Sequence, residues 1–470
     1  MPWLSELFGK EDLPRVWVEG LCWDSRKVQP GDLFFALRGT KVDGHRFIPE
    51  AVQKGAVAVV GEERLSELPV PYLQVENARR TMAEIACAFY GHPTKKLCSI
   101  GVTGTNGKTT VVHLLGQLLP DCEALTTVRV EEEGLSCVTT PEAPDLQRLA
   151  AHALAQGKKF FAFEASSIGL AQHRLDGSQL SAAVFTNFSR DHLDFHGSME
   201  AYLSAKLRLF DFLVEGGLAV VNVRLPARVF AAAKKGRLLT FGLGRGEVRG
   251  KEIESTPSGM GFVVESRFGK EKAFLPFFGV HNVENALAAL AVGLGLGFSL
   301  RELLEKLSQA SQPPGRFARW ETARGATVVV DFAHNPEALR AMLLALRPRA
   351  RKLIAVFGCP GEADRGKRRI MGEIAGRLAD LVVITSDNPK SEDPKAIAAE
   401  IARGAAEVGG TWTVILDRAE AIAWAVEEAQ AGDCVLIAGK GHERYQIFAH
   451  RREPFSDLGL VHALVASSPK

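Results

Sequence analysis

The run Gly101-Val-Thr-Gly-Thr-Asn-Gly-Lys-Thr-Thr110 carries the residue types that bind phosphate. Glycines at 101, 104 and 107 let backbone N–H groups approach phosphate oxygens closely, so Thr103, Gly104, Thr105, Asn106 and Gly107 read as a cradle for a nucleoside triphosphate. The ammonium of Lys108 can reach the outer phosphates, and the hydroxyl of Thr109 can ligate Mg²⁺. The spacing departs from the ordinary P-loop in one respect: six residues before Lys108 stands Val102, where glycine is usual. A ligand-free glycine turn ahead of a helix is the plainer alternative, and the Lys-Thr-Thr that follows weighs against it.

A cradle of this kind needs a strand before it and a helix after it. Leu97 to Val102 reads as a buried strand and Thr109 to Leu119 as the helix. Two further apolar runs have strand character: Phe160-Phe-Ala-Phe, which delivers Glu164, and Ala182 to Asn187, which leads to His192. Ligands of parallel α/β sheets collect at the C-terminal strand ends, so Glu164 and His192 are expected to face one metal beside the phosphates. The helix Met199 to Phe210 carries Lys206 on a mixed face, and spacing alone makes it a surface lysine. Asn282, near the start of a helix opening at Phe278, is placed to read a base, and Arg316, after Gln312-Pro-Pro-Gly, to complement phosphate charge from a hinge.

Around this centre the chain divides into three α/β units, as 470 residues at about 150 per domain would suggest. Residues 1–92 form a small unit of short strands and helices, in which Asp24-Ser25-Arg and Asp43-Gly-His45 offer donors for a phosphate or sugar. Residues 93–313 hold the cradle in a parallel sheet, and 314–470 alternate strand and helix as a doubly wound sheet. Polar groups follow the last unit's strands at Asp331-Phe-Ala-His-Asn, Gly358 to Lys367, Ser386-Asp-Asn-Pro-Lys390 and Gly439-Lys-Gly-His-Glu443, which belong on one edge of a shared cleft.

Lysine and arginine number 57 against 55 aspartates and glutamates, so no overall field points to nucleic acid or an anionic membrane. Seven scattered cysteines without a C-x-x-C pair fit reduced thiols rather than a disulfide frame or zinc site. No apolar run is long enough to span a bilayer, and Met1-Pro-Trp-Leu does not open a signal peptide. A cytoplasmic protein acting as a monomer is the expectation.

Asp24-Ser-Arg, Thr-Gly-Thr-Asn-Gly-Lys-Thr, Glu164-Ala-Ser-Ser, Thr-Asn-Phe-Ser-Arg-Asp-His192, His-Asn-Val-Glu-Asn, Pro-Gly-Arg-Phe, Asp-Phe-Ala-His-Asn-Pro and Gly-Lys-Gly-His-Glu stand in an order that resembles the Mur ligases over essentially the whole chain. Asp387-Asn-Pro-Lys and Gly439 to Glu443 resemble the MurE branch of that family. The resemblance implies an ATP-dependent ligase that adds a diamino acid to UDP-MurNAc-L-Ala-D-Glu through an acyl phosphate. It implies Thr109, Glu164 and His192 as metal ligands, and Asn282, Arg316 and Asp331 as ATP contacts. Ser25, Thr139, Thr140, Ser166, Gln172 and Arg174 then fall to the UDP-muramoyl substrate, and Asp387, Asn388, Lys390, Gly439 and Glu443 to the amino acid. Lys206 matches the lysine that the family carbamylates, which turns a cation into an anionic oxygen ligand for Mg²⁺.

Departures from the family fall in two places. Ile168 stands where Ser-Ser-His-Gly-Leu is usual. Lys390 and Ala363 stand where enzymes using meso-diaminopimelate have carboxylate-binding arginines. An arginine fork makes two parallel bonds to a carboxylate where lysine offers a point charge. L-lysine or L-ornithine is therefore the expected amine, and meso-diaminopimelate the alternative. A folylpolyglutamate synthetase-like ligase shares the central chemistry but not the expected UDP-sugar donors, a regulator would not need Lys108, Glu164, His192 and Lys206 together, and a kinase has no evident use for the third unit.

Overall fold

The computed structural model describes residues 2–39, 42–65, 68–135 and 139–467. Three sheets account for most of the strands, and each has buried apolar side chains on both faces. The first sheet is wholly parallel, with Gly20–Cys22, Asp32–Phe35, Ala58–Gly61 and Tyr72–Gln74 side by side in chain order. The helix Ala78–Phe89, whose start is capped by Asn77 accepting from the Arg80 amide, buries Ala78, Met82 and Ile85 in the core of this sheet.

The second sheet has nine strands. Its middle strand for function is Cys98–Thr103, paired in parallel with Phe160–Glu164 on one side and Leu180–Phe185 on the other. Val102 lies opposite Glu164 and Thr103 opposite Phe185, so the segments that follow these three strands leave the sheet on one edge. The helix Lys108–Leu118 turns back over the sheet and buries Val111, Val112, Leu114, Leu115 and Leu118. The helix Val280–Gly295 packs in the same apolar layer, buried nearly throughout, which leaves its polar start free to face the strand ends.

The expectation of a parallel central sheet holds for seven strands and fails for the last two. Beyond Val248–Thr256, which is still parallel to its inner neighbour, Gly259–Ser266 and Gly269–Leu275 each pair antiparallel to the strand before. Only two residues separate each successive pair, Pro257-Ser258 and Arg267-Phe268, and so short a link permits only a hairpin.

The third sheet runs Ala318–Glu321, Thr327–Asp331, Cys434–Ala438, Leu353–Phe357, Leu381–Ile384 and Trp412–Val414 across its width, parallel except for the first. Asp331, Phe357 and Ala438 stand level in the ladder. The loops after them therefore gather on one edge, which faces the phosphate turn of the second sheet through several side-chain bonds. Among the described residues no helix is long and apolar enough to cross a membrane.

Candidate active site

The turn 104–107 is closed by its surroundings to anything but glycine at two places. A Cβ on Gly104, whose φ is 145°, would lie 1.9 Å from Thr186 Oγ1, and one on Gly107, at φ 85°, would lie 2.2 Å from Asn285 Oδ1. The turn is held in place from the neighbouring strand end. The Thr105 amide donates to the Asn187 carbonyl, the Asn106 amide donates to Asn187 Oδ1 at 2.8 Å, and Thr186 Oγ1 donates to the Asn106 carbonyl at 2.6 Å. Thr105 Oγ1 accepts from Tyr202 at 3.2 Å and donates to the Ser189 carbonyl. Thr103 Oγ1 is buried with no partner.

Two lysines meet at this turn. Lys108 Nζ donates to the carbonyls of Gly104 and Thr105 at 3.0 and 2.8 Å, so it is folded onto its own loop rather than extended outward. Lys206 Nζ donates to the same Gly104 carbonyl at 2.7 Å and lies 4.6 Å from the centre of the Tyr202 ring. Lys206 is 1% exposed, which corrects the surface position that helical spacing assigned to it. The helix Met199–Leu207 buries Tyr202, Leu203 and Ala205 as well, and carries Lys206 beneath the phosphate turn. Burial, and then the charge of Lys108, drive the Lys206 ammonium well below its ordinary pKa. Both effects favour the neutral amine, which is the form that adds CO₂ to become a carbamate with loss of a proton.

Glu164 is 2% exposed, and its Oε1 accepts from the amide and hydroxyl of Thr127 at 2.7 and 3.0 Å. His192 follows Asp191 with a left-handed φ of 52°. The surrounding protein pushes the His192 imidazole down to about 4, with Asp191 pulling the other way. It is neutral near pH 7, as a metal ligand must be. Asp191 is itself buried, which alone would raise its pKa, yet contacts with His334, His192 and Lys367 hold it well below the usual carboxylate range. A glycine-bounded phosphate cradle, a hydroxyl at Thr109, a buried carboxylate, a neutral imidazole and a lysine that burial makes receptive to CO₂ form an oxygen-and-nitrogen donor set that fits a hard divalent cation such as Mg²⁺. Among the described residues the one cluster of three His, Cys, Asp or Glu ligands lies elsewhere, at Asp43, His45 and Glu63. There His45 is already satisfied: Nδ1 is 2.6 Å from Asp43, and Nε2 accepts from the Glu62 amide at 2.9 Å.

A cavity of about 360 Å³ opens beside the turn, lined by Asn106, Gly107, His281, Asn282, Asn285, Arg316 and Asp331 among others. Asn282 Nδ2 donates to the Phe278 carbonyl at 2.8 Å, and its Oδ1 accepts from Asn285. Arg316 reaches across the junction of the second and third sheets to donate to Thr109 Oγ1 at 3.3 Å, lies 4.5 Å from the Phe332 ring centre and has a buried Nε without a partner. Asp331 accepts from the amides of Phe317 and Ala333, both at 2.8 Å, and so fixes the loop that carries Arg316.

The residues assigned to a muramoyl substrate gather in part. Thr140 Oγ1 donates to the Glu164 carbonyl at 2.8 Å and lies 2.9 Å from the Ser166 hydroxyl. Arg174 donates to the Thr140 carbonyl at 2.6 Å, to Gln172 at 2.8 Å and pairs with Glu142 at 2.9 Å. Thr139 precedes this network, half-buried. Ser25 is not part of it, since its hydroxyl donates to Glu50 at 3.0 Å within the first unit.

The residues assigned to the amine form a knot that sequence reading left without its centre. Lys440 Nζ donates to Asn388 Oδ1 and Glu443 Oε2, both at 2.9 Å, and lies 3.5 Å from Asp387 Oδ1. Asn388 Nδ2 also donates to Glu443 Oε2 at 2.9 Å. Gly439 passes so close that a Cβ there would meet Asp387 Oδ2 at 2.5 Å. Lys390 joins through its backbone only, its amide donating to the Ile447 carbonyl at 3.1 Å. Asp191, Asn335 and Asn187 were missed as well. Asn335 Nδ2 donates to Asn106 Oδ1 at 2.8 Å and to Asp191 Oδ2 at 3.0 Å, tying the phosphate turn to the third unit. The motif Asp331-Phe-Ala-His-Asn335 carried the one available signal, an asparagine just beyond a strand end.

Fold and site together are those of an ATP-dependent amide ligase built from three α/β units. Family models match most of the chain: "Mur ligase family, catalytic domain" over residues 18–90, "Mur ligase middle domain" over 102–293 and "Mur ligase, glutamate ligase domain" over 315–441. A relative from Caldanaerobacter subterraneus subsp. tengcongensis, named UDP-N-acetylmuramoyl-L-alanyl-D-glutamate--2,6-diaminopimelate ligase, is 41% identical over 97% of this chain and 96% of its own. One from Roseiflexus sp., named UDP-N-acetylmuramyl-tripeptide synthetase, is 41% identical over 94% and 93%. A solved structure of a UDP-N-acetylmuramoyl-L-alanyl-D-glutamate--2,6-diaminopimelate ligase superposes with a TM-score of 0.65 at 33% identity, covering 99% of both chains. The chain belongs to the Mur ligase family and is of the MurE type.

Proposed function

We propose that this ligase joins a diamino acid to the side-chain carboxylate of D-glutamate in UDP-N-acetylmuramoyl-L-alanyl-D-glutamate, with cleavage of ATP to ADP and phosphate. The observation that carries the reading is the convergence of the phosphate turn, Lys206 and the loop of Arg316 at one strand edge, with the Lys440–Glu443 knot facing it from the third unit. The γ-phosphoryl group passes to the carboxylate oxygen and ADP leaves. The amine lone pair then attacks the acyl carbon, and the bond from carbon to the phosphate oxygen breaks. Lys108 and Arg316 offset the charge that builds on the transferred group. Asn106, Gly107, Asn282 and Asp331 line the cavity suited to the nucleotide. Thr109, Glu164, His192 and carbamylated Lys206 would hold Mg²⁺, which supplies positive charge beside the phosphates.

In this reading residues 1–92 bind the uridine diphosphate end with Ser25, and 93–313 bind ATP and the peptide end, with Thr139, Thr140, Ser166, Gln172 and Arg174. Residues 314–470 bind the amine, with Asp387, Asn388, Lys390, Gly439 and Glu443. We take the amine to be meso-2,6-diaminopimelate, because relatives 41% identical over nearly the whole chain are named for it. Ala363 and Lys390, in place of two arginines, favour the second reading, L-lysine or L-ornithine. Phosphate release should require precursor and amine together, and turnover should be highest with meso-diaminopimelate. A preference for lysine or ornithine would reverse the choice of amine, and release independent of the precursor would overturn the ligase reading.

A further inference from the structure

The short helix Thr127–Glu132 connects the two halves of this centre. Its first residue, Thr127, holds Glu164 through backbone and side chain. Four residues on, and so on the same helix face, Glu131 turns to the third unit, where its Oε1 lies 3.9 Å from His442 Nε2. Four residues rise about 6 Å along a helix, so Glu131 stands one turn from the carboxylate beside the phosphate cradle. It is on the side that faces the Asn388–Lys440–Glu443 knot.

Its surroundings leave this carboxylate available. It takes no hydrogen bond among the described residues, and Arg129 on its own helix is occupied by Glu132 and Glu133, at 3.7 and 2.9 Å. From the third unit it faces Glu443, Lys440, Arg444 and Arg452 as well as His442. Burial and then the charge of Glu443 raise the Glu131 carboxyl above its ordinary pKa, with the basic groups opposing. His442 does not neutralise it: burial pushes that imidazole down to about 3, and both its ring nitrogens are buried without a partner. The ring is instead stacked on Phe332, 5.2 Å between centres.

An amino acid reaches an enzyme near neutral pH as an ammonium, which has no lone pair to attack with. We propose that Glu131 takes the proton from the attacking ammonium of the amino-acid substrate, an inference that rests on the ligase reading above. The ammonium gives one proton to the Glu131 carboxylate, and the freed lone pair forms the C–N bond at the acyl carbon. The C–O bond to phosphate breaks, and the departing phosphate carries off that electron pair and receives the second proton.

The test separates the two half-reactions in the intact enzyme and in Glu131→Gln, which keeps the side chain's shape and removes its charge and basicity. With ATP and the UDP-muramoyl dipeptide but no amine, both enzymes should form the acyl phosphate equally, read by borohydride trapping. With the diamino acid, Glu131→Gln should form amide roughly a hundredfold more slowly, within the range of a lost general base, and should recover as pH rises and the free amine becomes abundant. With hydroxylamine, which is already unprotonated near neutral pH, the two enzymes should make hydroxamate within about twofold of each other. An unchanged amide rate overturns the assignment, and so does an equal loss with hydroxylamine, which would mark a structural role. Absence of acyl phosphate in the unaltered enzyme overturns the ligase reading itself.

Discussion

At the scale of single residues, the decisive contact is the one carbonyl that serves two lysines. Lys108 and Lys206 both donate to Gly104 O, and two ammonium ions crowded at one oxygen repel each other with little water to screen them. The arrangement is eased if Lys206 is neutral, and reversed in sign if it becomes a carbamate beside Lys108. Lys206→Ala should therefore lower phosphate release roughly a hundredfold or more while leaving the melting temperature within a few degrees. An unaltered enzyme stripped of CO₂ should lose activity and regain part of it with bicarbonate, measured as phosphate release. Full activity in the alanine variant would remove Lys206 from the mechanism. Helical spacing could not find this residue's position, because burial of Lys206 depends on a turn about a hundred residues earlier folding over it.

At the scale of elements, the strand ends do most of the positioning. Phe160-Phe-Ala-Phe and Thr327-Val-Val-Val are apolar runs of the kind that parallel strands require, so Glu164 and Asp331 were legible as strand-end residues from the chain alone. The Val248–Thr256 strand was not, because much of it is exposed and charged, at Lys251, Glu252 and Glu254, and a two-residue hairpin rather than a helix joins it to the next strand. Asp191 and Asn335 were not legible for a different reason. Their partners lie far off in sequence, 229 residues between Asn335 and Asn106, and no local pattern encodes such a pairing. The turn itself gives the sharpest prediction at this scale. Gly104→Ala places a Cβ 1.9 Å from Thr186 Oγ1 at a backbone angle side chains avoid, so a cost of about 1–3 kcal/mol and a marked loss of ATP affinity are expected, by thermal unfolding and calorimetric titration. Tight nucleotide binding by that variant would mean that the cradle tolerates a different shape.

At the scale of the whole molecule, side-chain bonds join the second and third units directly. Arg190 grips Asp364 with two bonds, at 2.8 and 2.9 Å, and Asn335 bridges Asn106 and Asp191. Arg190→Ala combined with Asn335→Ala should expand the ligand-free protein in solution scattering and raise the KM for the amine several-fold, since an exposed ion pair and a buried amide pair together are worth only about 1–3 kcal/mol. Acyl-phosphate formation, which the proposed mechanism assigns to the second unit, should be less affected. Unchanged scattering would mean that other contacts set the domain angle. The Asn106–Asn335 pair has one more implication. Asn106 lies in the loop that would feel a nucleotide arrive, and its amide is also the handle by which the third unit is held. A nucleotide that shifts this loop would therefore pull on the far lobe, so that filling one pocket bears on the shape of the other through this amide pair.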